Sequence, residues 1–113
     1  MRDTLFVLRP GFHDKGQTWF CPYSAQVIGM LTYYPKLRDT LDVVELDFLK
    51  PRYPVATMLG EDNQSLPVLV LAPDSETAVK DVHVSSAGGL RYVSKTIEIL
   101  RYLAATRGVP PPH

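Results

Sequence analysis

The chain of 113 residues contains a single cysteine, Cys21. One thiol can form neither an internal disulfide nor a structural zinc site of the four-ligand kind, so neither device can stabilise the fold. A hydrophobic core must do this alone, and a chain of this mass should bury roughly two-thirds of the surface that it exposes when unfolded. We therefore expect one domain over residues 1–108 and a flexible, proline-rich tail over residues 109–113.

Charge and hydropathy exclude several classes of partner. Twelve basic and twelve acidic side chains cancel, so no net field attracts the chain to nucleic acid or to anionic lipid. The longest apolar run, Leu66 to Ala72, is far shorter than the ~20 residues of a membrane helix, and the apolar stretch Leu5 to Leu8 is too short for a secretory signal. We expect a cytoplasmic protein, either a monomer or a weak homodimer, with no nucleic-acid or membrane partner.

The first part of the chain predicts a strand and then a helix. Residues 4–8 are rich in β-formers and are followed by a Pro-Gly turn, whereas residues 11–20 are polar and aperiodic and predict a loop. Proline suits the first position of a helix, and apolar residues then recur at spacings of three and four. The helix is therefore predicted from Pro22 to about Tyr34, with its apolar stripe formed by Tyr23, Val27, Ile28, Leu31 and Tyr34.

The remaining elements follow from the same rules. Residues 41–48 predict a second strand, and residues 55–59 predict a short helix ended by Gly60. The nearly unbroken apolar run over residues 66–71 predicts a central strand covered on both faces, and residues 81–84 predict its hairpin partner. A last helix is predicted from Ser94 to Gly108, its apolar side formed by Ile97, Leu100, Leu103 and Ala104.

The order βαβαββα predicts an α/β fold with a four-stranded mixed sheet and helices on both faces. A thioredoxin-like domain has this arrangement. A proline at the start of a central strand removes a hydrogen-bond donor from the ladder. We therefore predict that the Leu66-Pro67 peptide is cis and turns the chain into the sheet.

Cys21 is the candidate nucleophile. It directly precedes the helix that begins at Pro22, so its sulfur should face unpaired N–H groups and the positive end of the helix dipole, where a thiolate is stabilised. The Ser24 hydroxyl lies one turn along and could donate a hydrogen bond to the thiolate, but serine cannot resolve a mixed disulfide. Tyr23 could orient or shield the sulfur, or it could belong to the core. Any disulfide of Cys21 must be released by an external thiol, for which glutathione is the abundant cytosolic choice.

These residues resemble motifs of known families. The stretch Cys21-Pro22-Tyr23-Ser24 resembles the active-site motif of monothiol glutaredoxins, and with Phe20 and Ala25 it is similar to the active site of omega-type glutathione transferases. Residues 66–69, Leu-Pro-Val-Leu, resemble the cis-proline segment that these families share, and residues 94–104 resemble the end of the transferase N-terminal domain. The whole chain also resembles an uncharacterised bacterial family of short thioredoxin-like proteins of unknown function.

The resemblance implies a glutathione-linked thiol-disulfide oxidoreductase of monothiol type, with Cys21 as the thiolate nucleophile and Tyr23 and Ser24 beside it. It implies that glutathione, the co-substrate, binds Leu66, Pro67 and Ser94, and that a glutathionylated protein or a small disulfide is the partner. Ser94 could instead be only a helix N-cap. Two alternatives remain: a protein that holds an iron–sulfur cluster between two protomers through cysteine and glutathione, and a thioredoxin-fold interaction module without a redox role. No metal site within the chain itself is predicted.

Overall fold

The computed structural model describes residues 2–77 and 79–113. The chain forms seven strands, three α-helices and one 3₁₀ helix in these described residues. In chain order they are β1 (Asp3–Leu8), β2 (Phe12–Asp14), β3 (Gln17–Trp19), α1 (Pro22–Tyr33), the 3₁₀ helix (Pro35–Thr40), β4 (Leu41–Leu46), α2 (Val55–Leu59), β5 (Val68–Val70), β6 (His83–Val84), β7 (Arg91–Val93) and α3 (Thr96–Arg107).

The main sheet has five strands in the order β4-β1-β5-β7-β6, rather than the four predicted. β1 pairs in parallel with β4, with Leu5 opposite Val43, and all other neighbours are antiparallel. The strand beside β5 is β7, and the segment predicted for that place supplies only the two-residue edge strand β6. The three residues of β7 are too few to show alternation, which explains why the sequence did not reveal them. The α/β class is confirmed, and the strand count was wrong.

Residues 11–20 form a small hairpin where a loop was predicted. β2 and β3 pair through Phe12 and Trp19, and the turn residues Lys15 and Gly16 both have positive φ angles, 51° and 75°. The Trp19 indole N–H donates to the Asp14 carbonyl at 2.8 Å. The hairpin forms its own two-stranded sheet and is largely exposed, so its sequence lacks the apolar alternation of a half-buried strand.

Two hydrophobic clusters cover the two faces of the main sheet. Leu5 and Val7 of β1 point into the larger cluster, which α1 and α3 complete, and Phe6 points into the smaller cluster beneath α2. β5 is buried throughout, with Leu69 in one cluster and Val68 and Val70 in the other, as predicted for a central strand. Helices therefore lie on both faces of the sheet.

The helices begin and end close to the predicted positions. Pro22 opens α1, and Val27 and Leu31 are buried, but Tyr23 is 60% exposed and is no core residue. Gly60 and Gly108 follow α2 and α3 as predicted. The α3 cap position belongs to Lys95 rather than Ser94, and no side chain caps the helix.

The buried side of α3 differs in part from the prediction. Leu103 and Ala104 are buried as predicted, whereas Ile97 is exposed. Ile99 and Tyr102 are buried instead of Ile97, because the face of α3 that packs on the sheet is formed by residues 99, 102, 103 and 104.

Hydrogen bonds of Asp3 connect the first strand to the end of the chain. One carboxylate oxygen accepts from the Ala72 backbone N–H at 2.7 Å and from the Ser75 hydroxyl, and the other accepts from Arg107 at 2.9 Å. Beyond α3, Pro110–112 of the predicted tail line a shallow hollow beside Tyr33 and Tyr34. No described helix is long and apolar enough to cross a membrane.

Candidate functional site

Cys21 occupies the N-cap position of α1. Its backbone is extended, with φ −83° and ψ 114°, and its sulfur accepts a hydrogen bond from the Ser24 backbone N–H at 3.4 Å. The sulfur thus satisfies one of the otherwise unpaired N–H groups of the first helical turn. It also lies at the end of the helix where the dipole favours a negative charge. Pro22 has no N–H and takes the position where a donor is not needed. The thiol is free and partly exposed.

Ser24 contributes to the site through its backbone. Its side chain is only 3% exposed, and its hydroxyl oxygen accepts a hydrogen bond from the Leu8 N–H at 3.1 Å. The hydroxyl therefore connects the first turn of α1 to the end of β1, and it is the backbone N–H of the same residue that contacts the sulfur. The structure brings Ser24 to the sulfur through its backbone N–H, and the hydroxyl has a different partner from the one predicted.

Cys21 and Ser24 line a cavity of about 420 Å³ between α1, the end of β1 and the edge strand β4. Cys21, Ser24, Ala25 and Ile28 are spaced as one face of a helix, which forms one wall. The opposite wall comes from β4, through Val43 and Glu45, and Arg38 of the 3₁₀ helix stands at the edge. The thiol thus opens into a mostly apolar cavity.

The other four predicted site residues meet in a second hollow of about 540 Å³. It is lined by Tyr23 and Gln26 of α1, by Leu66 and Pro67 before β5, and by Ser94 before α3. The Leu66-Pro67 peptide is cis, as predicted. Tyr23 and Gln26 lie on the opposite side of α1 from Cys21 and Ala25, so the two hollows flank the beginning of this helix.

Arg52 is a charged residue near Cys21 that sequence reasoning missed. Its guanidinium donates to the carbonyls of Phe48 at 2.9 Å and Gln64 at 3.0 Å, and it lies over the Phe48 ring. Burial lowers the pKa of Arg52, and the charge at Cys21 acts on it in the opposite direction. Arg52 lies in an irregular segment 31 residues after Cys21, and no spacing rule connects the two positions.

Arg38 was also missed. It lies on the 3₁₀ helix that leads into β4, and it lines the Cys21 cavity only because β4 pairs in parallel with β1. Only the three-dimensional pairing reveals it. As for metals, no group of three His, Cys, Asp or Glu side chains that could hold an ion occurs in residues 2–77 and 79–113.

Comparison with known proteins gives one match. The chain matches neither a curated protein nor a solved structure. Residues 2–111 match the profile of a family described as a protein of unknown function, DUF3088. Because this match spans nearly the whole chain, the chain belongs to the DUF3088 family.

Proposed function

We propose that this chain is a thioredoxin-like, monothiol oxidoreductase that exchanges disulfides with glutathione. The observation that carries the proposal is the position of Cys21, whose sulfur accepts the Ser24 N–H at the beginning of α1 and opens into a cavity. A helix N-terminus favours the thiolate, which is the nucleophilic form of cysteine. Glutathione and its mixed disulfides are cytosolic, so the proposal also assigns the chain to the cytoplasm.

The arrangement of strands supports the thioredoxin-like part of the proposal. β4 is parallel to β1, and β5 and β7 follow on the other side of β1 in antiparallel pairing. β1-α1-β4 is thus a parallel unit with a helical crossover, followed by an antiparallel part and α3. The hairpin β2–β3 and the edge strand β6 are additions to this plan.

The proposed reaction consists of two exchanges. The Cys21 thiolate attacks the glutathione sulfur of a mixed disulfide, a bond forms between these two sulfurs, and the bond to the other thiol breaks. That thiol leaves with the electron pair as a thiolate and takes a proton from water. A second glutathione thiolate then attacks the Cys21-bound sulfur, which releases glutathione disulfide and restores the Cys21 thiolate. No second cysteine is needed, and the chain has none.

The hollow beside Pro67 is the proposed glutathione site. Leu66 lies outside the paired register of β5, which begins at Val68, so its main chain can pair with the extended backbone of a peptide. Ser94, Lys95 and Thr96 line the same hollow at the beginning of α3, where backbone N–H groups and the Lys95 ammonium favour a carboxylate. Tyr23, two residues after Cys21, lines this hollow and is exposed.

The test is turnover of hydroxyethyl disulfide with reduced glutathione, followed through glutathione reductase and NADPH. We expect turnover by the native chain, none by Cys21→Ser, and a higher KM for glutathione in Lys95→Met. Lys36→Met, on the exposed side of the 3₁₀ helix, is the matched control for loss of one positive charge. Absence of turnover with a folded protein would overturn the proposal. A brown colour after anaerobic purification with glutathione would favour the cluster-binding alternative instead.

A further inference from the structure

The Cys21 cavity has an apolar interior and a charged rim. Its apolar lining includes Val7, Leu8, Phe20, Ala25, Ile28 and Val43. Arg38 and Glu45 are the charged residues at its rim, and both are exposed side chains. An interior of this kind is typical of a small-molecule site, where apolar walls supply the affinity and few polar groups fix the orientation.

Arg38 has no partner within the described part of the chain. Its guanidinium forms neither an ion pair nor a hydrogen bond there, whereas Arg2, Arg9, Arg101 and Arg107 are each paired with a carboxylate. The one arginine at the rim of the cavity is therefore free to bind an anionic group. Glu45 lines the same cavity and repels negative charge, so a ligand with one negative charge is favoured over a dianion such as a phosphate monoester.

The volume limits the size of the ligand. About 420 Å³ lies near the lower end of the range for small-molecule pockets, roughly 300–1,000 Å³. The cavity therefore has room for a small compound.

We infer that the Cys21 cavity binds the half of the mixed disulfide that is not glutathione, and that this half is a small thiol with an apolar body and one carboxylate, bound by Arg38. This inference rests on the proposed function for its reaction, because the bound thiol is the group that leaves when Cys21 attacks the glutathione sulfur. The binding site itself does not depend on that reaction. The proposed site of glutathione itself is the hollow beside Pro67, which lies on the other side of α1.

The first experiment measures binding without turnover. The probe is phenylpropanoate, which has an apolar body and a carboxylate but no sulfur, and its amide is the neutral control. Occupation of the cavity should protect Cys21 from alkylation by iodoacetamide, followed by mass spectrometry. We expect protection by phenylpropanoate at a roughly three- to fivefold lower concentration than by the amide, since an ion pair with an exposed side chain such as Arg38 contributes up to about a factor of five.

Three variants test whether the preference for the acid over the amide arises from Arg38 and Glu45 at the rim of the cavity. Arg38→Met should remove the difference between acid and amide, and Lys36→Met, which removes a positive charge from the same 3₁₀ helix outside the cavity, should retain it. Glu45→Gln should improve protection by the acid, because it removes a repelling charge. Equal protection by acid and amide in the native chain, or an unchanged preference in Arg38→Met, would overturn the inference.

A second experiment distinguishes failure of the inference from failure of the proposed function. Mixed disulfides of glutathione with a phenylpropanoate thiol and with the corresponding neutral thiol are compared as substrates. The inference predicts a lower KM for the acid, lost in Arg38→Met. If neither compound is turned over but phenylpropanoate still protects Cys21, the oxidoreductase proposal fails and the carboxylate site stands. If both are turned over with equal KM, the oxidoreductase stands and the carboxylate site fails.

Discussion

Replacing Ser24 with alanine separates the two contacts that this residue makes at the site. The substitution removes the hydroxyl that accepts the Leu8 N–H at 3.1 Å, and it retains the backbone N–H that donates to the Cys21 sulfur. Leaving the partly buried Leu8 N–H without its partner costs about 1–3 kcal/mol. Alanine is a better helix former than serine by about 0.5 kcal/mol, which offsets part of that cost. We therefore expect Ser24→Ala to lower the free energy of unfolding by about 1–2 kcal/mol.

Urea denaturation measures this cost. With a slope near 1.5 kcal/mol per molar, typical of small domains, the midpoint should fall by about 1 M at an unchanged slope. Thr32→Ala is the matched control, because its hydroxyl is an exposed donor to the Ile28 carbonyl on the same helix, and its effect should stay within about 0.5 kcal/mol. The alkylation rate of Cys21 at pH 7 should change less than about threefold in Ser24→Ala. A midpoint equal to that of the native chain, or a loss of thiol reactivity with the fold intact, would refute this account of Ser24.

Three further predictions concern charge and burial. Asp3→Ala should destabilise the fold by about 3–5 kcal/mol in the same denaturation assay, because it leaves the buried Ala72 N–H without an acceptor and removes the carboxylate that pairs with the mostly buried Arg107. Asp42→Ala breaks only an exposed pair and should cost less than about 1 kcal/mol. Arg52→Met should slow the alkylation of Cys21 at pH 7 and low salt, because it removes a positive charge that interacts with Cys21. A faster rate would contradict a favourable effect of the Arg52 charge on the thiolate. Burial of the Tyr102 hydroxyl, and next the charge of Asp3, raise the pKa of Tyr102. Because the folded state favours the neutral phenol, Tyr102 contributes its full stability below its unfolded pKa of about 10, and this stability is lost as the pH rises above that value. Tyr102→Phe should flatten this alkaline loss in pH-dependent melting, and an equally steep loss would argue against Tyr102 as its origin.

The sequence predicted the elements whose apolar residues recur at a regular spacing, or which begin or end at a characteristic residue such as proline or glycine. Pro22 and the apolar residues at three- and four-residue spacing marked α1, and the unbroken apolar run marked β5. Gly60 and Gly108 marked two helix ends, because these positions follow the last helical residue. The hairpin β2–β3 was missed because it is largely exposed, and because the stacking of Phe12 on Phe48 joins residues that are far apart in the sequence.

The site was predictable only in part. The sequence correctly placed Cys21 directly before a helix and Pro67 directly before a strand, since both signals are local. It did not place Arg38 or Val43 in the same cavity as Cys21, because their position depends on the pairing of β4 with β1. The side-chain partner of Ser24 likewise depends on where β1 ends, and local spacing alone favoured the nearby sulfur.

The proposed nucleophilic role of Cys21 is best examined through the pH dependence of its alkylation by iodoacetamide. The rate is measured in the folded chain and in the urea-unfolded chain, with and without reduced glutathione. We expect the folded chain to be alkylated faster than the urea-unfolded chain at pH 7, and reduced glutathione to slow the reaction. A folded chain whose alkylation follows the unfolded profile, or is slower at every pH, and that glutathione does not protect, would contradict the claim that Cys21 is the nucleophile.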